Sequence, residues 1–301
     1  MIEQLGVPSV SAANVEVASS IFEEVRSDFP DNVDVLKGLT GYINAGGHGT
    51  RLSSLFKSDS KKGVSKALLS VGQPPITLVE HHINKLSRAG ITTIIAGVGD
   101  HDNVAEHVMA KYSSRAHTHA LHFSNQLGNG GDLVRAVREQ PELFEENVLI
   151  TCADTLLDLD EAEFYTFHLS REAHLSIAVT LNSGVPNEGA YYIGNNDQVV
   201  YSAETSQGIE FDEVVTPLHV YRASSTGALI ANRDALASIS WQPDEGPLSL
   251  YGQIVRQAIE TASMYAFNNG TRLFTDVGTV ASWNEAVNNH EILAPHIYYE
   301  A

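Results

Sequence analysis

A run of apolar, β-prone residues that ends in closely spaced glycines constrains the fold of this chain more than any other feature. Residues 39–45 form the run, which stops at Gly46, Gly47 and Gly49 and is followed by Arg51. Glycines let a backbone turn through positive φ and bring successive N–H groups close to an anion, and arginine presents a planar fork of donors to phosphate oxygens. The stretch therefore predicts a strand that ends in an anion-binding loop, with a triphosphate as the first hypothesis for the ligand.

Two better-known phosphate loops do not describe this stretch. A Walker loop ends in Gly-Lys-Ser or Gly-Lys-Thr, whereas Thr50 and Arg51 follow Gly49 here. The dinucleotide fingerprint Gly-x-Gly-x-x-Gly begins at Gly47 but has Leu52 at its third glycine position. Taken alone, the loop is equally compatible with a plain glycine-rich turn.

The rest of the chain alternates between strand and helix patterns. Strands are predicted near 39–45, 92–98, 119–124 and 147–152, and helices at 77–89 and 131–139. Such alternation predicts an α/β fold with a mixed, mostly parallel sheet and helices on both faces. Ligands in these folds bind at the carboxyl ends of the strands, where the Gly47 loop and Asp154 both fall.

Composition excludes several classes of function. The net charge of −19 leaves no basic stripe for a nucleic-acid backbone. No stretch approaches the roughly 20 apolar residues that span a membrane, and the first residues lack the pattern of a secretory signal. The single cysteine, Cys152, rules out an intramolecular disulfide and fits a reducing compartment. We therefore expect a cytoplasmic protein without nucleic-acid or membrane partners, and a homo-oligomer is left open.

Five short segments, taken in order, resemble the motifs of one known family. They are Gly46-Gly47-His48-Gly49-Thr50-Arg51-Leu52, Ser65-Lys66, Asn125-Gln126-Leu127-Gly128-Asn129-Gly130-Gly131, Val148-Leu149-Ile150-Thr151-Cys152-Ala153-Asp154 and Phe274-Thr275-Asp276-Val277-Gly278-Thr279. The family is that of the sugar-1-phosphate nucleotidyltransferases, or NDP-sugar pyrophosphorylases. The resemblance covers residues 39 to 290 in register. One substitution within these motifs is Ala153, where the family has a glycine.

The resemblance implies a Rossmann-like sheet of the nucleotide-diphospho-sugar transferase type, and an enzyme that joins a nucleoside triphosphate to a sugar 1-phosphate with release of pyrophosphate. It implies catalytic roles for Arg51, Lys66 and Asp154, and magnesium ligation by Asp154 and Asp276. The implied nucleotide-binding residues are Ala45, Gly46, Gly47, Gly49, Thr50, Arg51, Gln126 and Gly128. The implied sugar-binding residues are Gly189, Glu204 and Thr226.

The same resemblance divides the chain into parts. Residues 1–38 are predicted to be an N-terminal extension with a helix from about 12 to 29. Residues 39–301 are predicted to form the transferase domain, with a nucleotide-binding part at about 39–180, a β-rich sugar-binding part at about 181–270 and a closing segment over 271–301. Within the sugar-binding part, strands are predicted at 189–194, 198–202, 217–222 and 226–231, followed by a helix around 248–261.

One departure from the family pattern bears on the substrate. The family has Glu-Lys-Pro where this chain has Glu204-Thr205, so the lysine that touches the sugar phosphate is missing. Another cation such as Arg222 could replace it, the acceptor could be a cyclitol phosphate or an uncommon sugar phosphate, or activity could be lost. Two alternatives follow: a weak or inactive relative that binds nucleotide sugars, and a glycosyltransferase that uses the Asp158-x-Asp160 pair. The sequence leaves the nucleobase and the sugar open.

Overall fold

The computed structural model describes residues 36–47, 52, 65–72, 74–99, 102–113, 117–122, 127–181, 190–203 and 220–288. The chain divides into two units, Met1–Asp34 and Val35–Ala301. The first unit, which includes the helix predicted over 12–29, lies outside the described residues. The predicted division of the chain into functional parts stays a prediction.

The described residues form short strands and helices that alternate along the chain. The strands are β1 Leu39–Asn44, β2 Ser70–Val71, β3 Ile76–Thr77, β4 Thr93–Gly99, β5 Thr118–His122, β6 Asn147–Cys152, β7 Thr155–Leu157, β8 Leu175–Thr180, β9 Ala190–Ile193, β10 Val199–Ser202, β11 Tyr221–Asn232, β12 Met264–Asn268 and β13 Phe274–Asp276. The α-helices are α1 Leu78–Ala89, α2 Asp102–Tyr112, α3 Gly128–Glu139, α4 Glu161–Ser170, α5 Arg233–Ala237, α6 Val255–Glu260 and α7 Val280–Asn288. Single 3-10 turns lie at Lys66–Leu68, Pro141–Leu143, Asn195–Asp197 and Pro243–Glu245, and a π-helical turn lies at Leu250–Ile254.

A nine-stranded mixed sheet forms the centre of the described part of the chain. Its main path runs β10-β9-β11-β6-β1-β4-β5, and β8 joins β11 to β12. The strands β6, β1, β4 and β5 are parallel to one another, whereas β11 is antiparallel to β6, β8 and β9. The predicted mixed α/β sheet is therefore confirmed. Strands β9 and β10 continue this same sheet rather than forming a separate one.

Period-two alternation buries both faces of the parallel strands. Tyr42 and Ile150 point into one hydrophobic cluster with helices α3 and α6, while Ile43 and Leu149 point into a second cluster with α1, α2 and α4. All four side chains are almost fully buried. Strands covered on both faces read as continuous apolar runs, which explains why β1 and β6 were recognisable in the sequence.

The first helix has clear start and stop signals. Thr77 accepts a hydrogen bond from the backbone N–H of Glu80, and the Glu80 carboxylate accepts one from the N–H of Thr77, so α1 begins with a capping box. Gly90 ends the helix at a φ of 95°. This left-handed conformation suits glycine and satisfies the last carbonyl groups.

One predicted turn is wrong. Two strands were expected at 217–222 and 226–231, but residues 221–232 form the single strand β11. The register of β11 against β8 shifts between Ser225 and Leu229, and Gly227 has a φ of 79°. The Ser-Ser-Thr-Gly sequence therefore makes an irregularity within one strand, because glycine at positive φ accommodates a bulge without ending the ladder. Residues 217–219 lie outside the described part of the chain.

A buried histidine network joins the sheet to α4. One ring nitrogen of His168 is 2.9 Å from Ser176 Oγ and the other is 3.1 Å from Asn147 Oδ1. Asn147 also donates to the hydroxyl of Tyr165 at 3.2 Å. These contacts connect β6, α4 and β8 through groups that have lost their water, so each partner is needed to keep the others satisfied.

None of the described helices is both long and apolar enough to cross a membrane.

Acid is expected to destabilise the protein through His168. Burial, followed by the charge of His174, lowers the pKa of His168 to about 4, whereas an unfolded histidine has a pKa of about 6.5. Between these pH values the unfolded chain binds a proton that the native protein does not. The contribution of this group to the free energy of unfolding is therefore full above pH 6.5 and is lost toward pH 4. The total loss is on the order of 3 kcal/mol. Urea unfolding at pH 7 and pH 5 should show a smaller loss for His168→Leu than for the wild type. Equal losses would contradict this role for His168.

Candidate active site at the carboxyl ends of the parallel strands

The glycine loop begins between the ends of two neighbouring strands. The backbone N–H of Ala45 donates to the carbonyl of Gly97 at 2.9 Å, just beyond the end of β1. A Cβ on Gly46 would lie 3.0 Å from the backbone nitrogen of Gly99. The two backbone segments thus approach so closely that only glycine fits at position 46 without a shift.

Lys66 lies directly beside this loop. Its helical turn is capped by Ser65, whose hydroxyl accepts from the N–H of Ala67 and donates to the carbonyl of Ala45 at 3.2 Å. A Cβ on Gly47 would lie 3.3 Å from Lys66 Cε and 3.6 Å from its Nζ. The sequence-predicted loop and lysine are therefore neighbours, with Ser65 fixing the turn against the end of β1.

An ion pair joins Lys66 to Asp154. Lys66 Nζ lies 2.5 Å from Asp154 Oδ2, and the two side chains are only 17 % and 11 % exposed. Asp154 sits in the tight turn between β6 and β7, held by a bond from the N–H of Ala153 to the carbonyl of Asn44 at 3.2 Å. Because β1 and β6 are parallel neighbours, their carboxyl ends meet, and the lysine spans the gap between them.

Asp276 reaches the same edge from the end of the chain's last described strand. It faces Thr155 in the antiparallel ladder of β13 with β7, and the N–H of Val277 donates to the carbonyl of Asp154 at 2.8 Å. The Asp276 carboxylate is exposed and accepts a hydrogen bond from the N–H of Gly278 at 2.5 Å. The structure therefore brings Gly47, Lys66, Asp154 and Asp276 to one place, although 229 positions separate Gly47 from Asp276.

A chain of hydrogen bonds links Cys152, at the end of β6, to Gly227 in β11. Cys152 Sγ is 3.1 Å from the Tyr251 hydroxyl, which donates to the carbonyl of Gly227 at 3.2 Å. Burial, with Asp154 next in effect, raises the pKa of the Cys152 thiol to about 12. The thiol is therefore protonated and donates to Tyr251, which links the strand before Asp154 to the irregularity in β11. Sequence reasoning missed Tyr251, because it read 248–261 as an ordinary helix.

The glycines at the start of α3 have a packing role. Gly128 has a φ of 80°, and a Cβ there would lie 2.6 Å from the carbonyl oxygen of Leu248. At Gly130 a Cβ would lie 2.8 Å from the backbone nitrogen of Leu250, whose N–H donates to Asn129 Oδ1 at 2.8 Å. The segment around Leu248 thus packs directly against the backbone of Gly128 and Gly130, where a side chain would not fit. Nucleotide binding by Gly128 stays a prediction.

The other predicted site residues divide into two groups. Gly49, Thr50, Arg51, Gln126, Gly189 and Glu204 lie outside the described residues. Thr226 is fully buried, and its hydroxyl donates to the carbonyl of Ala178 at 2.8 Å. A role of Thr226 in sugar binding stays a prediction. Within the described residues, no cluster of three or more histidine, cysteine or acidic side chains is arranged to hold a metal ion.

Comparison with known proteins assigns the family. A family model for nucleotidyl transferases matches residues 40–291. The chain belongs to the nucleotidyl transferase family. A search of curated proteins finds no match.

Solved structures share the fold of this transferase at low sequence identity. The inositol-1-phosphate CTP transferase from T. maritima is 17 % identical with a TM-score of 0.64, over 87 % of this chain and 97 % of that one. HddC from Yersinia pseudotuberculosis is 16 % identical with a TM-score of 0.62, over 83 % and 98 %. A Bacillus anthracis protein, provisionally assigned as a glucose-1-phosphate thymidylyltransferase, is 17 % identical with a TM-score of 0.62, over 87 % and 98 %. These likenesses establish the fold.

The thiol of the transferase is expected to resist alkylation at mildly alkaline pH. An ordinary cysteine ionises near pH 8.5 and reacts as the thiolate, whereas the pKa of Cys152 is raised to about 12. The rate of reaction with iodoacetamide should therefore show no inflection between pH 7 and pH 9.5 in the native protein. In urea the same single thiol should titrate normally. An inflection near pH 8.5 in the native protein would contradict the raised pKa of this thiol.

Proposed function

We propose that this protein transfers a nucleotidyl group from a nucleoside triphosphate to a sugar 1-phosphate or a sugar-like cyclitol phosphate, giving an NDP-sugar and pyrophosphate. The observation that carries the proposal is the contact of Lys66 with Asp154 beside Gly47, at the carboxyl ends of β1 and β6. Membership of the family supports nucleotidyl transfer. The acceptor class rests on the five motifs, and two structural neighbours are named for inositol 1-phosphate and glucose 1-phosphate.

The proposed reaction is an in-line displacement. A phosphate oxygen of the acceptor forms a bond to the α-phosphorus of the triphosphate, and the bond from that phosphorus to the departing pyrophosphate breaks. Such a reaction needs little covalent chemistry from the protein, so positioning and charge neutralisation carry the catalysis. Substrates that carry several negative charges must therefore meet donors and cations that are already in place.

The loop and Lys66 would supply those groups. The backbone N–H groups of the loop, together with Arg51, would hold the β- and γ-phosphates and stabilise the leaving pyrophosphate. Lys66 would bridge the α-phosphate and the attacking phosphate, a role suggested by its place beside Gly47 and by the family motif. Its bond to Asp154 orients the ammonium before substrate arrives. This orientation would reduce the entropy lost when the two phosphates are brought together.

The donor set at this edge fits a magnesium ion. Magnesium prefers oxygen ligands and is commonly held by one or two carboxylates, with substrate phosphates and water completing its octahedron. Asp154 offers such a carboxylate from the turn before β7, and Asp276 offers one from β13. The two segments are joined through Thr155 and Val277. When bound there, the ion would neutralise charge on the triphosphate.

Residues identified by the family motifs would select the base and the acceptor. Gln126, whose amide presents a donor and an acceptor side by side, would read the edge of the base. Gly189, Glu204 and Thr226 would contribute to the acceptor site by the family motif. The negative net charge and the single cysteine support a cytoplasmic enzyme that does not bind nucleic acid.

The Asp158-x-Asp160 pair gives little support to a glycosyltransferase. The Asp160 carboxylate accepts a hydrogen bond from the N–H of Glu163 at 2.9 Å and so caps the first turn of α4. Aspartate is a preferred residue at that position for this reason alone. Asp160 is therefore explained by helix capping without a metal-binding role.

Pyrophosphate release tests the proposed function directly. The protein is incubated with magnesium, each nucleoside triphosphate and a panel of sugar and cyclitol 1-phosphates, and pyrophosphate is measured. We expect release with at least one pair, dependent on both substrates. If no pair gives pyrophosphate while a nucleotide sugar raises the melting temperature, the protein is a binding relative and the proposed reaction is wrong.

Removing either carboxylate should abolish most of the activity. Asp154→Asn and Asp276→Asn are each expected to lower magnesium-dependent turnover by about a hundredfold, the usual loss when a group that stabilises developing charge is removed. Asp160→Ser is the matched control, since it also removes a negative charge near the strand ends but retains a good helix cap. Initial rates of pyrophosphate release measure all three. Full turnover in both Asn variants would refute the metal assignment.

A further inference from the structure

We propose that His82 is a positioning residue, which holds the turn that carries Asp154 in place from inside the protein. The metal-related part of this inference rests on the proposed function, whereas the support of the turn stands on contacts within the chain. His82 lies on α1, and its side chain is 3 % exposed. It lines a small cavity together with Thr151, Thr155 and Lys85.

His82 lies against the turn on both sides of Asp154. It lines the cavity together with Thr151 and Thr155. The backbone carbonyls of Cys152 and Thr155, two residues before and one residue after the aspartate, are near enough to the ring to act on its pKa. Burial, followed by the charge of Lys85, lowers the pKa of His82 to about 3. The ring is therefore neutral and carries one N–H, which these carbonyls can accept.

Other bonds fix the same turn from different directions. The Thr155 hydroxyl donates to the carbonyl of Cys152 at 2.9 Å, and the N–H of Val277 donates to the carbonyl of Asp154. His82 adds the contact that comes from the helix beneath. Groups that orient a ligand in this way are needed to keep its oxygen atoms where a metal and the substrate can use them.

The second ring nitrogen argues against a merely structural histidine. Nε2 of His82 is buried and has no hydrogen-bond partner among the described residues. Burying a polar atom without a partner is unfavourable, and an apolar side chain at this position would avoid that cost. His168 offers the contrast, because its two ring nitrogens are both bonded and its burial is explained by that network. The carbonyls beside Asp154 supply the reason for a histidine at position 82.

The chain provides its own probe of the turn. Cys152 is the single cysteine of the protein and immediately precedes the turn that His82 supports. Its thiol is half-buried and bonded to Tyr251, so a looser turn should raise its rate of labelling by a thiol reagent, without any metal or substrate. The affinity for Mn2+ alone, and for Mn2+ with pyrophosphate, reports how well the carboxylates are placed.

Three variants of the full-length protein separate positioning from general stability. His82→Leu removes the N–H donor, His82→Asn keeps a donor near the position of Nδ1, and His168→Leu destabilises the core at a distance from the turn. We expect His82→Leu to label faster at Cys152 and to bind Mn2+ about tenfold more weakly. His82→Asn should restore most of both properties. His168→Leu should lower the melting temperature without changing either one.

The outcomes decide between positioning and ordinary packing. If His82→Leu labels and binds Mn2+ like the wild type, or if His168→Leu changes both properties equally, the inference is wrong. If the wild type binds no Mn2+ in either condition, the metal assignment under the proposed function fails, and thiol labelling alone then judges the support of the turn. Faster labelling in His82→Leu but not in His168→Leu would uphold that support even then.

Discussion

The parallel pairing of β1 with β6 is the constraint on which the site depends. Asn44 lies opposite Cys152 in this ladder, so the residues that follow the two strands are forced to emerge side by side. The Gly46–Gly47 loop follows one strand, and Asp154 follows the other. Because both strands are buried on both faces, a shift of one residue in their register would place apolar side chains in the wrong layer. The hydrophobic pattern of the strands therefore determines how the glycine loop and Asp154 lie relative to each other.

Electrostatics then determine what those polar groups do. Lys66 and Asp154 are mostly buried, so each charge has lost water and depends on the other. A buried ion pair is a weak source of stability, yet removing one partner costs about 3–5 kcal/mol because a buried charge is left alone. The pair therefore keeps a cation and an anion in defined places without contributing much to folding. Phosphates and a metal ion are the ligands that can satisfy both charges at once when the pair separates.

The sequence predicts the parts of this structure that depend on local pattern. Apolar runs identify β1 and β6, and the helix predicted at 77–89 corresponds to α1, because each of these patterns acts within a few residues. Lys66, Asp154 and Asp276 were predicted by their order along a family pattern, and the structure brings them together at one edge.

The contacts of His82 and Tyr251 could not be found in the same way. Tyr251 bonds to residues 24 and 99 positions away, and His82 lies beside residues 70 and 73 positions away. Nothing in the local sequence around either residue marks it. The turn expected before 226–231 failed for a related reason. Gly227 reads as a chain reversal in isolation, whereas pairing on both sides of β11 keeps the strand continuous.

The close packing of two segments at the start of α3 has a consequence for redesigning this protein. Leu248 and Leu250 rest on Gly128 and Gly130, and Leu250 is bonded to Asn129 across 121 positions of sequence. Tyr251, the next residue, touches Cys152 and thus the strand that leads to Asp154. Substitutions at residues 127–131 are therefore epistatic with those at 248–251. A redesign of this part of the protein therefore has to vary the two segments as a single unit.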